Sequence, residues 1–308
     1  MTAVRLWVDG QTWKITGPGG YEPTGNFEPV DGAPSFSSQY HLPLILGVCG
    51  SNAALQKSKT DKWEAVGNST ERPLVVAGAK VGLHTHELRP KFARVKENVF
   101  DSARKMMSVL LDNSQNPTEF MRDSPFIAVV KGAPNVVLAQ SKFILNAGTY
   151  GKTFRELTPK DRSSILEIID KFSEQAFRVL AVSYKPMDSA ADDSPQALES
   201  NLYLCGLFAS IDPEREEVTP SIAKAASAGI RTVMITGDYV KTARAIAENI
   251  HLIPAGAPDS KAVDCARIRE FGEQIRELED EMEKQEKEKT LTKDKKKEFE
   301  AKLVSTFH

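Results

Sequence analysis

The amino-acid sequence predicts an α/β protein: a mixed-sheet domain over 1–209, then over 210–308 an incomplete parallel strand–helix unit with a charged helical hairpin. Three features carry this expectation. Short β-forming runs separated by turn residues recur along the first part of the chain. From Leu202 onward, apolar strand and helix patterns alternate, as they do in units that build a parallel sheet. From Asp259 onward Lys and Glu dominate, while Ile268, Phe271, Ile275, Leu278 and Met282 fall at alternating spacings of three and four.

Taken in order, Ala3 to Val8 and Thr12 to Thr16 flank Asp9-Gly10, a hairpin turn dipeptide, and predict two paired strands. The Gly-, Pro- and Ser-rich stretch 17–38 keeps neither period and reads as a loop. His41 to Leu55 is apolar at helical spacing, and Thr70-Glu71 stands where it can cap a second helix over Leu74 to Val81. Strands are expected at Phe92 to Val99, Met106 to Leu111 and Pro125 to Val130, with a helix after Pro134. Pro159 opens an amphipathic helix whose Ile165, Ile168, Ile169 and Phe172 share one face. Then come a strand from Arg178 to Tyr184, an acidic loop from Asp188 to Ser200, and a strand from Leu202 to Ser210. Val218, Ile222, Ala225 and Ala226 mark a helix ended by Gly229; a continuous apolar strand, Ile230 to Ile235, and a helix, Val240 to Ile250, follow. The tail, about 259–307, reads as a hairpin turning near Lys289 to Thr292, with Phe299 and Leu303 on the return arm.

A chain of 308 residues, 41% hydrophobic and 27% charged, buries a substantial core. Forty basic against 42 acidic side chains leave no global field that would drive it to nucleic acid. Cys49, Cys205 and Cys265 are far apart and form no Cys-x-x-Cys pair, which argues against a disulfide framework or a zinc site and for a reducing compartment. No apolar run approaches the roughly 20 residues that span a bilayer.

Two groups of residues stand just beyond predicted strands: Asp212, and Thr236-Gly237-Asp238. Ligands of open α/β sheets bind at the carboxyl ends of strands. Gly237 would let the backbone approach a phosphate, the next helix's amides favour anionic oxygens, and Asp238 can organise water or Mg²⁺. Each candidate also has a plainer reading. Thr-Gly-Asp is equally a turn with Asp as N-cap, Phe100 a strand end, Lys131-Gly-Ala-Pro134 a strand-ending turn, Thr70-Glu71 a helix start and Arg178 a surface arginine. His84 and His86 lack further ligands at metal spacing and read as solvated or packing residues.

The order of these strings narrows the choice. Asp212-Pro-Glu-Arg215, Ala228-Gly-Ile-Arg231, Met234-Ile-Thr-Gly-Asp238, Thr242-Ala243 and Ala245-Ile-Ala247 together resemble the phosphorylation domain of cation-transporting P-type ATPases, with Glu214 replacing a usual proline. Upstream, Phe100 to Ser108 is similar to the strand motif whose aromatic residue stacks on adenine in that family's nucleotide-binding domain. Lys131-Gly-Ala-Pro134 resembles the family's Lys-Gly-Ala-Pro-Glu, with Asn135 in place of Glu. Gly67 to Glu71 and Phe177 to Ala181 resemble the segments that meet adenine and phosphates. The resemblance implies ATP held by Glu71, Phe100, Lys131, Gly132 and Arg178. It also implies a Rossmann-like, haloacid-dehalogenase-like domain in which Asp212, Thr236, Gly237 and Asp238 support phosphate and Mg²⁺. Its style is that of the calcium and sodium/potassium classes, with calcium the first expectation.

The family's Asp-Lys-Thr-Gly-Thr, which carries the phosphate-accepting aspartate, does not occur here, nor does Gly-Asp-Gly-x-Asn-Asp. The expectation is therefore a soluble ATP-binding piece of a membrane pump, at the cytoplasmic face. It would act with the phosphorylation, actuator and transmembrane domains of its parent and form no phosphoenzyme alone. A free-standing phosphatase is disfavoured because no Asp-x-Asp-x-Thr occurs; a non-catalytic nucleotide sensor or scaffold remains open.

Overall fold

The computed structural model describes residues 1–18, 20–114, 124–146, 153–212, 217–237 and 239–264, with scattered positions between 272 and 284. The chain forms two compact units, Met1–Val218 and Thr219–His308.

In the first unit β1 (Thr2–Val8) and β2 (Gln11–Ile15) form the expected hairpin. Asp9 and Gly10 have φ of 43° and 81°, the left-handed pair that lets a two-residue turn follow the strand twist. The stretch expected as a loop contributes a further strand, β3 (Phe27–Val30), paired antiparallel with β2 and burying Phe27. Its order comes from a ladder lent by β2, which no local period announces. The helix expected over 41–55 is α1 (Leu42–Cys49) and stops early. A Cβ on Gly50 would lie 2.7 Å from Val129 Cγ1, so the chain runs tight against the sheet and turns away into β4 (Ala54–Lys57), which pairs with β5 (Trp63–Val66) in a separate small sheet. Next come α2 (Arg72–Ala79) and α3 (Thr85–Leu88), then the meander β6 (Arg94–Asp101), β7 (Met106–Asp112) and β8 (Phe126–Gly132).

After α4 (Pro134–Gln140), β9 (Ser141–Asn146) and β10 (Thr153–Glu156), the helix α5 (Pro159–Glu174) is closed at its start by a capping box between Thr158 and Asp161. The strands β11 (Arg178–Met187) and β12 (Leu202–Ile211) end the unit, and the acidic loop between them carries a short helix, α6 (Pro195–Leu198).

Among the described residues the main sheet runs β3-β2-β1-β12-β11-β8-β7-β6, with β9 parallel to β12 and paired with β10. All other pairings in it are antiparallel, so the sheet is mixed. Alternation sorts its side chains to two faces. Leu6, Val129 and Phe208 pack with Leu44, Leu46 and Leu74 of α1 and α2 on one face; Trp7, Val130 and Leu207 pack with Val137, Ile165 and Phe172 of α4 and α5 on the other. Leu198 of α6 is fully buried in a smaller cluster with Leu110 and Ala128.

Farther along are α7 (Val218–Ser227) and α8 (Val240–Asn249), with Gly229 at φ 73° after α7 as its expected C′ residue. The parallel strand expected between them is not formed. Residues 230–236 are irregular, and Ile230, Val233 and Ile235 are 61%, 68% and 89% exposed. An apolar run becomes a strand only when a neighbour supplies its ladder, and β12, the expected neighbour, spends its hydrogen bonds on β1, β9 and β11. The turn expected near Lys289 to Thr292 and the return arm with Phe299 and Leu303 lie outside the described residues. No helix among the described residues is long and apolar enough to cross a membrane.

Candidate functional site

The end of α1, the start of α2 and the end of β8 converge on one buried ion pair. The Lys131 ammonium donates to Glu71 Oε1 at 2.5 Å and to Ser51 Oγ at 2.8 Å, and Glu71 Oε2 accepts the Asn52 backbone N–H at 2.8 Å. Lys131 and Glu71 are only 2% and 4% exposed. Ser51 Oγ in turn donates to the Gly47 carbonyl at 2.6 Å, so each member is satisfied. Burial pushes the Lys131 ammonium pKa down to about 8; Glu71 opposes that, and the Arg94 and Arg89 charges add to it.

An outer ring braces this pair. Arg94 donates to Glu97 Oε2 at 3.0 Å, to the Ser51 carbonyl at 2.9 Å and to the Asn52 amide oxygen, while the Asn52 amide donates to Glu97 Oε1 at 2.6 Å. Arg89 also donates to the Ser51 carbonyl, at 2.6 Å. Both guanidinium groups thus cover the Ser51 carbonyl just past α1, and Arg94 also donates to the Cys49 carbonyl, at 3.3 Å, at the helix's C-terminal end. Sequence patterns did not mark Ser51, Asn52, Arg89, Arg94 or Glu97, because they lie in a turn, a one-turn helix and a strand whose proximity is set by long-range pairing.

Two sequence expectations need correcting. Glu71 does sit at the N-cap of α2, but its side chain makes no capping bond and turns inward to Lys131. Lys131, the first residue of what reads as a strand-ending turn, is still within β8 and points into this pair. The cause is the strand register: Lys131 lies opposite Met107 on β7 and Val182 on β11, so its side chain leaves on the face covered by α1 and α2.

The remaining upstream candidates gather at the same end of the sheet. Gly132 lies opposite Met106 and Ala181, Asp101 lies opposite Met106, and Arg178 begins β11 just beyond Ala181. Phe100, next to Asp101, is 58% exposed and stands outside the buried pair. Arg178 is half-buried and lines a small cleft with Thr70, Leu74, Leu180, Phe208 and Ser210. Asp212, 63% exposed on its side chain, follows β12 and pairs with the Met1 amino group at 3.0 Å. Thr236 and Gly237 are exposed in the second unit and follow no strand; Asp238 and Arg215 lie outside the described residues. His84 and His86 stack at 5.5 Å beside a cleft lined also by Trp63, Leu55 and Val75. Among the described residues no three His, Cys, Asp or Glu side chains are placed to hold a metal ion.

Residues 40–217 match the family described as P-type ATPase, cytoplasmic domain N, and this span contains the Lys131–Glu71 pair with Phe100 and Arg178. The chain belongs to the P-type ATPase family. It is 32% identical over 279 residues to a calcium-transporting ATPase of Bacillus subtilis, covering 89% of this chain and 29% of that protein. It is 37% identical over 199 residues to calcium-transporting ATPase 1 of Lactococcus lactis, covering 65% of this chain and 21% of that protein. A probable cation-transporting ATPase F of Mycobacterium tuberculosis is 30% identical over 270 residues, covering 85% of this chain and 28% of that protein. The chain therefore spans under a third of the length of these curated relatives.

Within this N domain the glycine of the Lys131-Gly132 motif has a role the sequence did not show. It does not turn at positive φ. A Cβ there would lie 2.5 Å from the Lys105 carbonyl oxygen and 2.6 Å from Met106 Cβ, so its absence lets β8 close on the β6–β7 turn. Gly132→Ala is expected to cost about 1–3 kcal/mol through overpacking. Gly237→Ala, whose Cβ would meet nothing within 4 Å, is the matched control. Thermal melts check this, and equal melting temperatures for the two variants would remove the close-approach role.

Proposed function

We propose that the chain is the ATP-binding portion of a cation pump, calcium being the favoured ion, and that it binds the nucleotide at the β8 end of its main sheet. The observation that carries this reading is the gathering of Lys131, Gly132, Phe100 and Arg178 at that end by strand register, with Glu71 brought to Lys131 from the start of α2. Phe100 presents an aromatic face to solvent, where a purine can stack. Arg178 supplies a cation at the neighbouring cleft for phosphate oxygens. The buried Lys131–Glu71 pair fixes the pocket floor, and Gly132 holds the turn beside it. Calcium-transporting names among the relatives support the choice of ion.

In the parent, this domain at the cytoplasmic face would present ATP to a phosphorylation domain to which residues from about 210 onward contribute, with Asp212, Thr236, Gly237 and Asp238 near the transferred phosphate. Mg²⁺ would accompany the nucleotide. Phosphoryl transfer to an aspartate and coupling to ion movement would need the phosphorylation, actuator and transmembrane domains of the longer protein.

Calorimetric titration with ATP, adenosine and tripolyphosphate tests the reading. Saturable binding of adenosine, somewhat tighter for ATP, is expected, with tripolyphosphate alone too weak to saturate. No saturable binding of ATP at millimolar concentration by a cooperatively melting chain would overturn it, as would tripolyphosphate binding as tightly as ATP.

A further inference from the structure

On the face of the sheet away from Lys131, a second polar cluster is built around Glu199. This carboxylate is 7% exposed and sits between α6 and β12. Arg104 donates to both of its oxygens, and Ser108 Oγ donates to its Oε1 at 2.9 Å. Asn98 extends the network, its amide donating to Ser108 Oγ at 3.1 Å and to the Asp193 carbonyl at 3.0 Å. Arg104 also reaches back across the β6–β7 turn, donating to the Val99 carbonyl at 2.8 Å. None of these residues belongs to the candidate site.

Their connectivity points at one target. Phe100 lies between Val99, whose carbonyl Arg104 holds, and Asp101, whose carboxylate accepts the backbone N–H groups of Ala103 and Arg104 at 2.9 Å each. The β6–β7 register slips between Asn98 and Asp101, so ladder bonds alone do not fix the backbone there. Among the described residues the 58% exposed Phe100 ring belongs to no buried cluster. Besides the Asp101 bonds within the turn, the anchor across the sheet holds this backbone. Leu198, fully buried beside Leu110 and Ala128, pins the segment that carries Glu199.

We propose that the Arg104–Glu199 pair, with Ser108 and Asn98, is the positioning device that presents Phe100 to the adenine base. Arg104 and Glu199 touch no nucleotide; they act through the turn. Both terminal nitrogens of the guanidinium are engaged, Nη1 with the two oxygens of the buried carboxylate and Nη2 with the Val99 carbonyl, which restricts the group to one orientation and the Val99 carbonyl with it. The backbone that carries the ring is then ordered before ligand arrives, so binding does not carry the cost of ordering it.

This proposal rests on Phe100 being the adenine platform, and a double-mutant cycle separates the two. ATP affinity is measured for the unaltered chain and for Phe100→Ala, Glu199→Gln, Arg104→Lys and Glu199→Gln/Phe100→Ala, each checked by thermal melting. Glu199→Gln keeps the shape and one acceptor oxygen but removes the charge and puts an NH2 donor where the second oxygen accepts from Arg104. It is expected to weaken ATP binding by roughly 3- to 10-fold, a smaller loss than ring removal within the stacking range, and to add nothing in the Phe100→Ala background. Arg104→Lys is expected to retain less than half of the affinity, because one ammonium nitrogen replaces two guanidinium nitrogens, Nη1 on the Glu199 oxygens and Nη2 on the Val99 carbonyl. Loss of affinity in Phe100→Ala together with unchanged affinity in Glu199→Gln, or fully additive losses in the double variant, overturns the brace and leaves the platform standing. Unchanged affinity in Phe100→Ala overturns the platform and the brace together.

Discussion

Glu71→Ala is expected to destabilise the first unit by about 3–5 kcal/mol, the cost of leaving one partner of a buried ion pair unmatched. Lys131 would stay 2% exposed with only Ser51 Oγ near its ammonium and two guanidinium groups in the outer ring. Removing both charges, in Glu71→Leu/Lys131→Met, is expected to recover most of that loss, since apolar groups of similar size need no partner. The effect depends on pH with a definite sign. In the unaltered chain Lys131 holds its proton in the folded state only to about 8, against about 10.4 unfolded, so between those values the unfolded state binds more protons and this group makes stability rise with pH. Without Glu71 the influence that raises the Lys131 pKa is gone and its release moves to lower pH. The deficit of Glu71→Ala is therefore expected to be larger at about pH 6 than at about pH 8. Urea melts at the two pH values measure it, and a deficit below about 1 kcal/mol, or one that grows toward pH 8, would sink the account of the pair.

Phe100→Ala is expected to weaken ATP binding by roughly 5- to 150-fold at 25 °C, the range that follows from about 1–3 kcal/mol for stacking a base on an aromatic ring. Stability should hardly change. The ring is 58% exposed and belongs to no core cluster, so its removal opens no cavity. That contrast makes the two variants complementary: Glu71→Ala reads as lost folding, Phe100→Ala as lost binding in a folded chain. Phe100→Trp should keep most of the affinity because the larger ring still stacks. NMR titration with ATP, on samples with matched melting temperatures, decides the matter; equal affinity in Phe100→Ala would move the platform elsewhere.

The elements that were legible in the sequence were those fixed by neighbours in the chain. Asp9-Gly10 announced its hairpin through φ preference, α5 through its apolar face and its proline start, and β6, β7 and β8 through β-forming runs bounded by polar turns. The motif strings likewise marked Glu71, Phe100, Lys131 and Arg178 as a set, because their order along the chain is itself a pattern. Tertiary structure decided what depends on pairing between distant segments. It made β3 a strand by laying it on β2, and it left Ile230 to Ile235 without one for want of a ladder. It turned Glu71 and Lys131 toward each other by register and by the burial of α1 and α2, where spacing alone allowed a helix cap and a strand-ending turn. It also set Glu199 against Arg104 across the separation of α6 from the β6–β7 turn. Local sequence preference selects among backbone conformations within a few residues; which buried charges meet is selected by desolvation, which acts only once the sheet has closed around them.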